Sequence, residues 1–455
     1  MNNHQDTIKT RRAVRKLLLS GVLALALLGL TIVGLNAAQA HEIRSSVPRA
    51  ALTRDRVEDP VVITGSRFSA LSGVPVNELV LYAYRGGDWL AVPFQIDEVN
   101  ISGTYVISDG GLLDANDELV LMAGDAGDSV NTAVWPADPQ SRLYSRYAIT
   151  VSDPLSASQQ AWVYLYRSAT LTRSQVSYVT WTQGLQTASA LSYTAAFSPT
   201  SFLGLADLRT NGSIVDMLDR QKVRVEFLGG LIKVNEEGLA SLGPATLTLP
   251  ITGPIRAATS EGALRAAFYR SRIDFEVQFD LTGLGVIQPD FIRTSFDWVS
   301  PTISGINTYY DSNTPAGVAI DGVPDPISST PRLNWFQVNG GAAGPGGLVM
   351  TVPRVDPRGG TVTNYYKDDN AVDVNDTGDQ RSYGDSGLKI DGSFVSPAII
   401  SFTLTAYILP PGSSTNVGTV YFARATQPLQ TEVASQCYAP AGNCLRVYLP
   451  LVIRS

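Results

Sequence analysis

Short stretches in which apolar and polar residues alternate recur along this chain. The clearest spans residues 272–281, where Ile273, Phe275, Val277, Phe279 and Leu281 alternate with Arg272, Asp274, Glu276, Gln278 and Asp280. A helix would scatter those apolar residues around its axis. A strand, whose side chains point to opposite faces in turn, gathers them on one. Residues 89–97 repeat the pattern, with Leu90, Val92, Phe94 and Ile96 on one side and Ala91, Pro93, Gln95 and Asp97 on the other. An apolar run at 79–84 precedes them, and Arg85-Gly86-Gly87-Asp88 offers the turn of a hairpin. Further strands are predicted at 118–123, 145–151, 161–167, 223–227, 246–251 and 400–408, and one short helix at 214–220. The intervening Gly, Pro, Ser and Thr supply turn chemistry.

Alternating strands over this length need two facing sheets to bury their apolar sides. The expected fold is therefore all-β, with two β-sandwich-like domains, long loops and a short disulfide-closed C-terminal tail. The expected divisions are a signal peptide at 1–40, a flexible lead-in at 41–59, an N-terminal β domain at 60–170, a larger β-sandwich at 171–425 and a tail at 426–455. Residues 170–201, rich in Ser, Thr and Ala, read as a linker or as strands with a hydroxylated outer face. Residues 301–391 read as loop-rich.

The first forty residues bear on compartment. Lys9, Arg11, Arg12, Arg15 and Lys16 precede an apolar run from Leu17 to Leu35, and Ala38-Gln39-Ala40 follows. That is the layout of a secretory signal, so the mature chain is expected to begin at His41 and to work outside the cell or at its surface. An uncleaved anchor is the alternative, and no later stretch is apolar and long enough to span a bilayer. The whole chain carries a net charge of −7, and loss of the five cations and of Asp6 in the signal leaves −11. Such acidity repels nucleic acid, and it favours neutral glycans over uronates unless calcium bridges the two.

Only His4 and His41 are histidines, which removes the usual general base and argues against Ser-His-Asp, Cys-His and histidine–zinc chemistry. Cys437 and Cys444 are the only cysteines, and in an exported chain they read as a disulfide closing a short loop. Gly384-Asp385-Ser386-Gly387 matches four residues of a trypsin-like nucleophile segment but lacks its histidine, and reads as a turn.

Two acidic segments have the two-residue spacing that gathers oxygens for calcium. One is Asp114, Asn116, Asp117 and Glu118; the other is Asp373, Asn375, Asp376 and Asp379, with Gly378 to close the turn. The second departs from an EF-hand loop where Gly384 stands at the position of the closing Glu. Calcium is the one cofactor expected. Trp89, Tyr309, Tyr310, Trp335, Tyr365 and Tyr366 are candidate stacking platforms for sugar rings, set against the commoner role of core aromatics.

Val92-Pro93-Phe94-Gln95-Ile96-Asp97-Glu98, followed by Asp114-Ala115-Asn116-Asp117-Glu118-Leu119-Val120, resembles secreted bacterial β-proteins, some of them similar to polysaccharide-lyase-associated families. Gly253-Pro254-Ile255-Arg256 resembles a Gly-Pro-Val-Arg segment of their β-sandwich. The final Tyr448-Leu449-Pro450-Leu451-Val452-Ile453-Arg454 resembles a tail on exported proteins of filamentous gliding bacteria. The resemblance implies export and a β-sandwich and carries over no catalytic residue. The leading expectation is a binding protein for glycans or extracellular matrix with calcium-braced loops. The alternatives are a polysaccharide lyase using Tyr269 and Arg272, and a structural envelope protein.

Overall fold

The computed structural model describes residues 56–438, except 109, 199–203, 241–246, 260–263, 281–287, 328–333, 343, 393 and 395–398. The signal segment, the start at His41, Cys444 and the C-terminal tail motif lie outside the described residues. The described chain is mostly β-strand, as expected.

A first sandwich sets a three-stranded sheet (Pro60–Thr64, Glu118–Met122, Phe94–Asp97) against a five-stranded one. The second sheet runs in the order Gln430–Gln436, Arg146–Asp153, Ser156–Arg167, Leu79–Arg85, Asp88–Ala91. Val61, Ile63, Phe94, Leu119 and Leu121 meet Leu79, Leu81, Ile149, Val151, Val163 and Leu165 in one core. Its last strand, Gln430–Gln436, belongs to the segment read as a tail; it returns to pair along the whole of Arg146–Ser152.

The second sandwich packs a nine-stranded sheet against a five-stranded and a four-stranded one. The five-stranded sheet orders Ile232–Val234, Leu218–Phe227, Pro289–Trp298, Ser382–Asp391 and Thr361–Asp369. Its inner face presents Val223, Val225, Ile292, Phe296, Trp298, Val362, Leu388 and Ile390 to Ile273, Val277, Phe336, Met350, Phe402 and Leu404 of the large sheet.

Several local expectations change. Residues 214–220 are not a helix: Leu218 opens the strand Leu218–Phe227, whose alternation of Lys222 and Arg224 with Val223 and Val225 suits a half-buried sheet. The hydroxyl-rich segment at 170–201 holds the strands Val179–Thr182, Thr187–Ala190 and Tyr193–Phe197, with Val179, Ala188, Tyr193, Ala195 and Phe197 inward and Thr180 and Ser189 outward. The second of its two readings is the observed one. The described part of residues 301–391 contains six strands, including Thr361–Asp369 and Ser382–Asp391, and Gly384–Gly387 lies within a strand rather than a turn.

The alternation at 89–97 breaks at Pro93, which lacks the N–H a continuous ladder requires. Asp88–Ala91 and Phe94–Asp97 therefore enter different sheets. Phe94 points into the first core, while Gln95 and Asp97, on the polar side, are buried against the second sandwich.

Candidate functional site

Two polar assemblies stand out, and they do different things. The first joins the sandwiches. Gln95 Oε1 accepts the backbone N–H of Ile255 (2.7 Å) and of Arg256 (2.9 Å). Arg256 in turn donates to Asp97 at 2.6 Å and to Glu118, and its guanidinium lies 4.9 Å from the Tyr105 ring. Gly253 makes this approach possible, because a Cβ there would sit 2.2 Å from Gln95 Oε1. The three motifs that carried the resemblance thus converge on one bolt between the two sandwiches. A second tie runs from Arg56 to Asp59 and Asp153 and from Asp59 to Arg272 at 3.0 Å.

A cleft of about 510 Å³ opens beside the bolt, lined by Phe94, Gln95, Asp97, Arg173, Ile251 and Gly253. Its polar groups are already engaged: Gln95 and Asp97 by Arg256, and Arg173 by the carbonyls of Leu79 (2.9 Å) and Val76. It offers a ligand little unmet hydrogen bonding.

The second assembly lies on the outer face of the five-stranded sheet. Alternation places Lys222, Arg224, Arg293, Ser295, Asp297, Tyr365, Lys367 and Asp385 on that face, opposite the core residues between them. Such a row would ordinarily be solvated. Here Lys222, Ser295, Asp297 and Asp385 are fully buried, because the segment 370–381 and the helix Glu236–Ala240 cover them.

The cover is held by charge. Asp376 accepts from Lys222 Nζ at 2.9 Å and from Arg224 at 2.8 Å. Glu236 accepts from Arg224 and from the Val223 N–H at 3.1 Å, and Thr377 donates to Glu236. Gly378 turns with φ +83° at a place where a Cβ would lie 2.0 Å from an Asp219 carboxylate oxygen. Burial works to raise the Asp376 carboxyl, but Lys222 and Arg224 outweigh it and hold it at about 2. Below the cover Lys222 Nζ lies 2.6 Å from Asp297 Oδ2, and Asp297 Oδ1 accepts the Tyr383 N–H at 2.9 Å. Burial and the nearby Asp385 charge push Asp297 well above the usual carboxylate range, against the pull of Lys222. Both oxygens of Asp385 and the Ser295 hydroxyl have no hydrogen-bond partner among the described residues.

Beside the cover opens a cleft of about 320 Å³, lined by Arg224, Glu226, Lys233, Arg293, Tyr365, Lys367, Asp373 and Asp376. Most of these charges are matched: Lys233 lies 3.4 Å from Glu226 and Lys367 3.7 Å from Asp373. Arg293 differs. Its guanidinium stacks 4.0 Å from the Tyr365 ring centre, its buried Nε has no hydrogen-bond partner, and no described carboxylate forms an ion pair with it.

The residues singled out from sequence fall in several places. Of the six aromatics, Tyr365 alone lines this cleft. Trp89 packs edge-on with Tyr164 and Tyr166, and Tyr309 and Trp335 are buried. Tyr366 rests on Tyr309 at 4.2 Å, and Tyr310 lies half-buried over Gly317. These rings do not form one sugar platform.

Asp114, Asn116, Asp117 and Glu118 are engaged within the protein. Asp117 accepts the Val99 and Asp114 N–H groups at 3.2 and 2.8 Å, Asn116 holds the Val99 carbonyl, and Glu118 accepts from Arg256 and Tyr105. In the second segment Asp373 and Asp379 each cap a neighbouring N–H, of Asn375 (3.0 Å) and Arg381 (2.8 Å). Asp376, one of the four residues of this candidate calcium segment, accepts from Lys222 and Arg224. Among the described residues no group of three or more acidic, histidine or cysteine side chains is arranged to hold a metal.

Tyr269 is 3% exposed, and burial raises its phenol further, against Arg256. A base so placed offers a polymer no approach. Arg272 is committed to Asp59 and Asp274. Cys437 ends the returning strand near Ser145, and its expected partner Cys444 lies outside the described residues. Lys222, Arg293 and Asp297 were not singled out from sequence, and Asp385 was noticed only within a segment read as a turn. The available signal was charge placed strictly between core residues on three neighbouring strands.

No family model matches this chain, and no curated protein matches it. Among solved structures it is similar to the α-N-acetylgalactosaminidase NagBb from Bifidobacterium bifidum, in its GalNAc complex, with TM-score 0.34 and 11% identity. That likeness covers 52% of this chain and 38% of the other, so the chain matches well under half the length of that protein. A likeness so partial assigns neither fold nor activity.

Proposed function

We propose that this protein is an exported glycan-binding protein that takes the carboxylate of an acidic sugar at Arg293. The observation that carries the reading is a stacked guanidinium facing the cleft, with which no described carboxylate forms an ion pair. Arginine presents paired N–H donors that match a carboxylate, and stacking on Tyr365 fixes their plane. The matched charges around the rim, Lys367 with Asp373 and Lys233 with Glu226, offer donors and acceptors suited to sugar hydroxyls. A rigid sheet beneath the cleft limits the ordering cost of binding. The secretory layout of the first forty residues supports action outside the cytoplasm.

The expectation of a neutral glycan, drawn from net charge, gives way here to a local cation. The net charge still forbids broad capture of polyanions, so recognition rests on one residue. The test is a pull-down panel of neutral and uronate polysaccharides. Retention of uronates, lost in Arg293→Ala, supports the reading. Equal retention by the variant, or none by either protein, overturns it.

A further inference from the structure

We infer that Lys222 and Asp297 are joined by an intramolecular isopeptide bond, formed within the folded protein with Asp385 as the proton carrier. The two residues lie on neighbouring antiparallel strands, 75 residues apart in sequence, with Nζ 2.6 Å from Oδ2 and both side chains buried. The ladder pairs Phe296 with Ser386, so its next step places Asp385 opposite Asp297 on the same outer face. A fully buried carboxylate with no hydrogen bond among the described residues is costly to keep, since only the charge of Lys222 replaces the water it has lost. Proton transfer gives Asp385 a task that an ion-pair network would not require.

The surroundings suit a condensation. Asp297 Oδ1 is held by the Tyr383 N–H, which polarises the carbonyl and steadies an oxyanion forming there. Oδ2, the oxygen facing Lys222, is the one positioned to leave. Burial and Asp385 push Asp297 toward its neutral acid, the form an amine can attack, while Lys222, despite its burial, is pushed toward its ammonium by the carboxylates around it, so the amine must first give up a proton. Asp376, the other carboxylate on Lys222, stays ionised at about 2 and is a poor acyl donor. Gly387, opposite Ser295, keeps the space clear, since a Cβ there would fall 2.5 Å from the Ser295 Cα.

The atoms balance without any other reactant. The Lys222 ammonium passes a proton to Asp385, and the neutral amine attacks the Asp297 carboxyl carbon. Asp385 relays a proton from the newly bonded nitrogen to the oxyanion and then protonates the Oδ2 hydroxyl, which leaves as water as the C–Oδ2 bond breaks. It then takes the proton of the remaining hydroxyl as the carbonyl re-forms. The net change is one ammonium and one carboxylic acid to one amide and one water, with the ammonium's extra proton resting on Asp385.

The test is intact-mass spectrometry of the purified full chain beside Lys222→Arg and Asp385→Asn, followed by peptide mapping under denaturing conditions. Relative to the mass its sequence requires, the natural protein is expected to be lighter by one water, and its digest to contain a branched peptide joining Lys222 to Asp297. Both variants are expected at full sequence mass, with Asp385→Asn shown to be folded by its circular dichroism. A natural protein at full mass with an unmodified Lys222 peptide overturns the inference whatever the variants do. A branch to Asp376 overturns the choice of acyl donor, and a bond that persists in Asp385→Asn overturns the role of Asp385.

Discussion

Gln95 and Arg256, 161 residues apart, lock the two sandwiches together: the Gln95 amide accepts from the backbone of Arg256 at 2.9 Å and donates to its carbonyl at 3.2 Å. This exchange mimics a rung of β-sheet between the two sandwiches, and it orients the guanidinium toward Asp97 and Glu118.

Breaking this bolt should unfold the interface. Arg256→Ala leaves Asp97 buried without its cation, a change that costs about 3–5 kcal/mol in comparable settings. Gln95→Ala strands two buried N–H groups, at about 1–3 kcal/mol for an unmet group. Urea unfolding should show Arg256→Ala as the more destabilising. Losses below 1 kcal/mol in both would mean that the bolt contributes little.

Asp376 predicts a pH dependence. Its folded pKa of about 2 lies below the ordinary value near 3.9, so the folded state holds its proton less tightly than the unfolded state. The stability it contributes is complete above about pH 4 and is lost as pH falls toward 2. The melting-temperature gap between Asp385→Asn, which keeps the Lys222 ammonium, and the same variant carrying Asp376→Asn should therefore narrow from pH 6 to pH 2. A gap that stayed constant would contradict the ion pairs with Lys222 and Arg224.

The period-two pattern made both the strand at 272–280 and the hairpin at 79–91 legible, because alternation is written directly in the residues. The partners of Gln95 and Asp97 were not legible. Alternation assigns a residue to the polar face of a strand, but whether water or a second sandwich covers that face depends on contacts more than 150 residues away. The same blindness hid Lys222, Asp297 and Asp385. Asp385 was read as part of a turn and the other two were passed over, and all three are buried because residues 370–381 fold back over the sheet. That segment was noticed for its acids and read as a cation site. In the fold its central acid answers two cations on a neighbouring strand.

Calcium should accordingly do little to this loop. Asp376 is occupied by Lys222 and Arg224, and Asp373 and Asp379 cap backbone N–H groups. Melting in EDTA and in millimolar calcium should give the same midpoint. A ligand present at ~100 times its Kd would add about 2.7 kcal/mol, so a rise of several degrees in calcium would show that Asp373, Asn375 and Asp379 bind it.

The central claim is that Arg293 receives the carboxylate of an acidic sugar. Calorimetric titration of an oligouronate and of its carboxyl-reduced counterpart into the natural protein and Arg293→Ala tests it directly. The account predicts binding of the oligouronate by the natural protein alone, with a loss of about 1.5–3 kcal/mol, the range for a charged hydrogen bond, in either the reduced sugar or the variant, and with unchanged stability in the variant. Equal affinity for the two sugars, or full binding by Arg293→Ala, would contradict it.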